Sequence, residues 1–268
     1  ASCVNVAHPG PSVGGNTEMH PRIVDLVLGA LSQAIPEKVA AAEGGTSCNF
    51  RVGGVHPEDG EYYADYHFEG NGWGATSFKD GNNAIVVPNG NCRNTPVEVF
   101  ETRFPFLTET YHLVQDSGGA GEFRGGLGVQ RIVEVEAPEI TLSAVFERMK
   151  EHPWGLFGGG QGACSRLMIQ RVGDDHFRTF QEVFGTVSPS KFANIIIKRG
   201  DKVMLQSPGG GGFGDPQNRV PEMVLRDVRE GFISPEAAGE RYGVGVVEKE
   251  GYYELDPAKT TQLRQQEA

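Results

Sequence analysis

The chain has 268 residues, 38% of them hydrophobic, and sets 24 Lys and Arg against 35 Asp and Glu for a formal net charge of -11. That length is enough to bury a sizeable core, as one large domain or two small ones. The acidic balance argues against a nucleic-acid or anionic-membrane partner, because phosphates attract Lys and Arg, and no apolar run approaches the roughly 20 residues that span a bilayer. Residues 1–19 read as irregular, and the opening run ASCVNVAHPGPSVGGN has neither a basic nor an apolar leader segment, so a cytoplasmic protein is expected. Pro21 then stands where a first helical position belongs, and Ile23, Val24, Val27, Leu31 and Ala34 recur at 3–4 spacing. This pattern predicts an amphipathic helix over 21–34, ended by Pro36, with a short helical piece over 37–43.

From residue 46 to about 207 the texture is that of strands. Candidates are 48–54, 62–69, 83–87, 96–103, 109–115, 128–136, 139–147, 165–171, 177–183, 192–198 and 202–207. Pro221 starts a helix with Val224, Leu225 and Val228 on one face, stopped by Gly231. Ser234-Pro235 starts a shorter one through Arg241, and 255–268 read as a polar, frayed end. The 38 glycines are about twice the ordinary share of ~7% and punctuate these segments in pairs and longer runs. The expected fold is α+β and β-rich: glycine-punctuated, mostly antiparallel sheets with an N-terminal helix and a C-terminal helical segment. Its expected divisions are 1–45, 46–215 and 216–268.

The run Ser207-Pro-Gly-Gly-Gly-Gly-Phe-Gly-Asp215-Pro216 contains G-x-G-x-x-G. A dinucleotide site needs a strand before that fingerprint, a helix directly after it and then a second parallel strand. Here the next helix begins about seven residues beyond the last glycine, and Asp215 puts a negative charge where a pyrophosphate would lie. A tight, close-packed turn is the better reading. The cysteines Cys3, Cys48, Cys92 and Cys164 form no C-x-x-C pair and read as reduced, buried filler.

Two runs could bear chemistry. In Tyr62-Tyr-Ala-Asp-Tyr-His-Phe-Glu69, a strand would bring Asp65, His67 and Glu69 onto one face. That set could bind a metal or work as acid and base, and it could equally be a solvated outer face. In Asn89-Gly-Asn-Cys-Arg-Asn94, Arg93 suits a carboxylate or phosphate, and Asn91 and Asn94 can donate to an oxyanion or hold an Asn-rich turn. His20, before Pro21, is a further contact candidate at the expected helix start.

The runs Gly15-Asn-Thr-Glu-Met-His-Pro-Arg-Ile-Val-Asp25, Thr46-Ser-Cys-Asn-Phe50, Tyr66-His-Phe-Glu-Gly-Asn-Gly-Trp-Gly74, Arg93-Asn-Thr-Pro-Val-Glu98, Asp116-Ser-Gly-Gly-Ala-Gly121, Arg124-Gly-Gly-Leu-Gly128, Pro153-Trp-Gly-Leu-Phe-Gly-Gly-Gly160 and Pro208-Gly-Gly-Gly-Gly-Phe-Gly-Asp-Pro216 resemble, in order, the C-terminal half of the hydantoinase B/oxoprolinase family. The resemblance implies a component of a multi-subunit, ATP-dependent enzyme. A hydantoinase A-like partner would bind ATP and phosphorylate the substrate, and a divalent metal would sit on partner chains. Members either hydrolyse cyclic amides or carboxylate ketones through a phosphorylated enol and bicarbonate. The first and third of these runs, together with Asn89-Gly-Asn-Cys-Arg-Asn94, look more like the acetone/acetophenone carboxylases. A ketone carboxylase subunit is therefore the leading expectation, with a cyclic amide hydrolase subunit or a non-catalytic structural subunit as alternatives. Family members are about twice this length, so a second chain supplying the other half, and an exposed apolar face to receive it, are expected. The site implied has His67, Glu69 and Arg93 as catalytic residues and Asn91, Asn94 and His20 as substrate contacts.

Overall fold

The structure, a computed structural model, describes residues 16–266 apart from 87, 89 and 91. The expectation of an irregular start over residues 1–15 lies outside them. Helix α1 (Asn16–Leu31) begins five residues before Pro21, which sits inside it. Proline has no N–H to offer the carbonyl four residues earlier. That carbonyl, on Thr17, accepts a hydrogen bond from the Ser47 hydroxyl instead (2.8 Å), so the helix runs through the proline. His20 is therefore in the second turn and not at the helix start.

The strands follow as β1 (Asn49–Val55), β2 (Tyr62–His67), β3 (Phe106–Leu113), β4 (Val129–Val135), β5 (Glu139–Val145), β6 (Arg166–Gln170), β7 (Arg178–Thr179), β8 (Lys191–Lys198) and β9 (Lys202–Gln206). They form a four-stranded sheet in the order β2-β1-β5-β8 and a five-stranded sheet in the order β3-β4-β9-β6-β7. Every pairing within them is antiparallel. One core joins the two sheets: Phe50, Val52, Ile140, Leu142 and Ile197 from the first meet Phe106, Val133, Leu167, Val203 and Leu205 from the second. Burying each such side chain is worth about 1.5–3 kcal/mol. The β4 run Val-Gln-Arg-Ile-Val-Glu-Val alternates buried and half-buried positions, as a strand on a sandwich core must.

Two expected strands are helices. Residues 96–103 become α2 (Val97–Arg103), opened by Pro96 at its N-cap, with Phe100 buried against Phe104 and Phe106. Residues 177–183 split into β7 and α3 (Phe180–Phe184), which starts at a Thr179–Glu182 capping box. The expected strand at 83–87 is reduced to one bridge between Ile85 and Asn71.

Beside the sandwich lies a second kind of interior, built from glycine backbone. The segment Pro208–Gly214 runs through its middle. Gly209 donates to Ala163, Gly210 to Gly126, Gly211 to Ala42 and Gly212 to Gly160. In return Pro208 accepts from Gly72, Gly210 from Gly119, Gly211 from Ala75 and Gly212 from Leu156. Successive residues thus bond to different neighbouring segments, as polyproline II-like extended chains without internal hydrogen bonds can. The packing is too close for side chains. A Cβ on Gly209 would stand 1.8 Å from the Ser117 carbonyl oxygen, and one on Gly210 2.0 Å from that of Trp73. The G-x-G-x-x-G run is therefore filled by other backbone and has no room to cradle a nucleotide.

The C-terminal part comprises α4 (Pro221–Arg229), α5 (Pro235–Tyr242), a hairpin of β10 (Val246–Lys249) and β11 (Tyr252–Leu255), and α6 (Pro257–Gln266). Val224, Val228, Ile233, Ala238, Tyr242 and Val244 make its own small core. The end is helical rather than frayed because Asp256 caps it, accepting from Lys259 N (2.9 Å), with Pro257 at the first helical position. Arg219, 2% exposed, ties this part to the glycine region through Asp80 (2.7 and 2.8 Å) and Asp227 (2.7 Å). No described helix is long and apolar enough to cross a membrane.

Candidate functional site

At the end of β2 the chain turns its polar residues inward. Tyr63, Asp65 and His67 point to the core side, while Tyr62 and Tyr66 are exposed. The solvated-face alternative is thereby excluded for this run. His67 Nε2 lies 3.1 Å from Glu69 Oε1, and His67 Nδ1 lies 3.6 Å from Asp65 Oδ2. Two residues that sequence reasoning missed complete the cluster. Arg131 Nε is 2.6 Å from Glu69 Oε1, with both side chains almost fully buried. Tyr111 donates its hydroxyl hydrogen to Glu69 Oε2 (3.0 Å) and accepts one from Asn94 Nδ2. The guanidinium of Arg131 lies 4.3 Å from the Tyr111 ring centre, and the His67 ring packs against Phe50 and Phe100.

Burial disfavours a charge on His67, but Asp65 and Glu69 outweigh it and hold the imidazole above its ordinary value. Burial and the Glu69 charge also push the Tyr111 hydroxyl up, so it stays a neutral donor. The His67 imidazole and the Arg131 guanidinium therefore face one carboxylate. This arrangement does not fit a divalent metal, because the Arg131 guanidinium already occupies the oxygen a cation would need. Among the described residues no group of three or more His, Cys, Asp and Glu is placed to hold a metal ion.

The expected site residues divide by depth. His67 and Glu69 are buried, Asn94 and Arg93 are exposed, and Tyr111 bridges between them. Among the described residues of the second run, Asn94 is joined to the first, through Tyr111. Arg93 makes no ion pair among the described residues, and Asn91 lies outside them. His20 has no hydrogen bond or ion pair to this cluster, and its Nε2 is buried without a partner among the described residues. Cys92, expected as buried filler, is exposed.

A second polar cluster lies under α1 and was not anticipated from the sequence. Glu18, Arg22 and Asp25, spaced i, i+4 and i+7, share the face of the helix that meets the body. Glu18 accepts from the Thr46 hydroxyl (2.5 Å), Ser47 N (3.0 Å) and Asn49 Nδ2 (2.6 Å). Burial pushes its carboxyl up to about 7, against those hydrogen bonds. Asp25 pairs with Arg148, which also donates to the carbonyls of Gly44 (3.2 Å) and His152 (3.1 Å). Beside them Glu43, 4% exposed, has no well-formed hydrogen bond to either carboxylate oxygen among the described residues. Burial and the neighbouring Asp25 charge push it up to about 8, so Glu43 is largely protonated at neutral pH.

Comparison with known proteins bears on what these clusters serve. The model of the family described as hydantoinase B/oxoprolinase matches residues 1–216. An uncharacterized protein of Methanocaldococcus jannaschii is 34% identical over 97% of this chain and 43% of its own length. The crystal structure of the ATP-dependent caprolactamase from Pseudomonas jessenii aligns at a TM-score of 0.78 and 27% identity, over 97% of this chain and 44% of that one. The nucleotide-free structure of acetone carboxylase, a subject of ATP-dependent acetone carboxylation, aligns at 0.70 and 26%, over 88% of this chain and 34% of that one. The chain thus spans less than half the length of these relatives.

Proposed function

This chain belongs to the hydantoinase B/oxoprolinase family, and from that premise we propose that it works within the B-type subunit of an ATP-dependent cyclic amide hydrolase. The observation that carries the reading is the alignment with caprolactamase along 97% of the chain. The motif resemblance puts ketone carboxylation first, and this longer and closer match reverses the order. ATP-dependent ketone carboxylation stays as a second reading, favoured by the match to acetone carboxylase. In either case ATP and a divalent metal belong to other parts of the assembly, including a hydantoinase A-like ATPase subunit. Neither the filled glycine run nor the Arg131-blocked carboxylate accommodates them.

Within that reading the rim of the cluster meets the substrate and the buried part positions it. Glu69 anchors the Tyr111 hydroxyl, which orients the Asn94 amide at the surface. Arg93, next in chain to Asn94, holds the anionic group of an activated, phosphorylated substrate. His67 and Arg131 hold the Glu69 carboxylate in place.

The assembled enzyme is assayed for ATP turnover with caprolactam, 5-oxoproline or a hydantoin, and with acetone or acetophenone plus bicarbonate. Turnover with a cyclic amide alone is expected, and bicarbonate-dependent turnover with a ketone alone would overturn it in favour of the second reading. Arg93→Ala and Asn94→Ala are expected to raise KM at least about tenfold, the loss of one charge-assisted hydrogen bond. Unchanged kinetics in both variants would assign this chain a purely structural part.

A further inference from the structure

Helix α1 is inside out. All three of its charged residues, Glu18, Arg22 and Asp25, turn toward the body. Its solvent side is apolar: Met19 is 40% exposed, Ile23 42%, Leu26 72%, Val27 52% and Leu31 41%. A surface helix normally does the reverse and faces its apolar stripe to the core. This one is pinned from below by hydrogen bonds and ion pairs and presents an aliphatic ridge above. Exposed apolar ridges of this kind mark binding surfaces.

We infer that the α1 ridge is the docking surface for the portion of the B-type subunit that this chain does not span. The inference rests on the proposed assembly and names the surface through which it forms. The caprolactamase subunit beta is matched over 96% of this chain but only 43% of its own length. More than half of such a subunit therefore has to pack somewhere against this body. The ridge lacks any charge, so the occupant presents an aliphatic, uncharged face, which sets it apart from a charged regulatory peptide. The seam beneath explains why the ridge can stay rigid while bare. Glu18 takes four hydrogen bonds and Asp25 an ion pair with Arg148, so polar contacts hold α1 in place while Leu26 and Val27 stay largely exposed.

The test places the photo-crosslinking residue p-benzoylphenylalanine at position 26 in the complex purified from its own cells, with position 172 as the control. Val172 is nearly as exposed as Leu26 (69% against 72%) and lies in the turn after β6, beside Gly200. After irradiation and mass spectrometry, position 26 is expected to crosslink to B-type sequence outside this chain's span, and position 172 is not. Crosslinks from position 26 to a second copy of this chain, to lipid or to the ATPase subunit would overturn the inference. So would no crosslink in a complex that native mass spectrometry shows intact, and in that case the proposed function survives. A stable monomer with no assembly at all would overturn both. As a second measurement, Leu26→Asp with Val27→Asp is expected to weaken assembly at least tenfold and leave the melting temperature of the isolated chain unchanged. A melting temperature that falls with them would mean that the ridge packs within this chain, which also overturns the inference.

Discussion

The sandwich and the glycine region solve the same problem with opposite materials. Between the two sheets, side chains fill space: Leu142, Ile140 and Phe50 from one sheet meet Val133, Leu167 and Leu205 from the other. In the glycine region, backbone fills space, and each carbonyl stands about where a neighbour's Cβ would be. The first interior is held mainly by apolar burial and tolerates changes of volume at a graded cost. The second is held by hydrogen bonds between bare chains, and a single added methyl has nowhere to go. One region should therefore bend under substitution where the other breaks.

The largest expected effect tests that directly. Gly210→Ala puts its Cβ 2.0 Å from the Trp73 carbonyl oxygen, 2.2 Å from the Trp73 carbonyl carbon and 2.7 Å from Gly74 N, none of which can swing away. We expect a loss above about 5 kcal/mol, read as absence of a cooperative thermal transition. Leu142→Ala, in a fully buried position of the sandwich, is expected to cost about 2–5 kcal/mol and still fold, as seen by a shifted but cooperative melt. A Gly210→Ala variant that melts normally would dissolve the contrast.

Because glycine segments offer no side chains, their attachments to neighbouring parts fall to ion pairs. Arg219→Met removes the ion-pair partner of the half-buried Asp80, which keeps the Arg124 N–H, and leaves the buried Asp227 with only Arg124 among the described residues, at 3.5 Å. Breaking a buried pair in this way costs up to about 3–5 kcal/mol. The measurable sign is early exposure of α4 and α5 in hydrogen exchange, with the sandwich still protected.

Much of this division was legible in the sequence, and the failures have physical causes. The strands β4, β5, β6 and β9 follow from their β-branched alternation, and the packed nature of 207–216 follows from the missing helix after its glycines. The Asp65–His67–Glu69 grouping came from period-two geometry, and the contacts at 3.1 and 3.6 Å agree with it. Residues 96–103 failed because β-branched Val97 and Val99 read as strand, whereas Pro96 and the buried Phe100 make a helix. Arg131 could have been found. It falls in phase with Val129, Val133 and Val135, and a charge at a core position of a strand calls for a buried partner. Tyr111 could not, because a register shift between Thr108 and Thr110 changes the phase of β3. The inward turn of Glu18 and Asp25 was hidden as well: periodicity shows that α1 has an apolar side, not which side meets the body.

A pH titration examines the boundary between α1 and the glycine region. The folded Glu43 carboxyl, at about 8, binds its proton more tightly than the unfolded one at 4.5. The folded state then holds more protons across that window, so the Glu43 contribution to stability is full below about pH 4.5 and is lost as pH rises to about 8. Glu18, at about 7, adds a fall of the same sign. Glu43→Gln should remove the larger share of the slope, on the order of a few kcal/mol, in denaturant titrations at pH 5 and pH 8. An unchanged slope would mean that Glu43 is ionised in the folded chain.

The smallest expected effect has the opposite sign and completes the contrast. Gly239 lies inside α5, where a Cβ would meet only Leu263 Cδ1, at 3.9 Å. That is ordinary contact, so nothing has to move. Here the methyl removes backbone freedom from the unfolded chain and supplies a better helix former, worth about 0.5–1 kcal/mol. Gly239→Ala should therefore raise the melting temperature by a few degrees. The same substitution that abolishes folding at Gly210 would then stabilise at Gly239. Neither glycine has a positive φ, so the difference lies in the neighbours: at Gly210 another backbone has taken the place of the side chain. If Gly239→Ala instead destabilises, α5 is packed more tightly than its 3.9 Å clearance indicates, and close backbone packing extends beyond the glycine region.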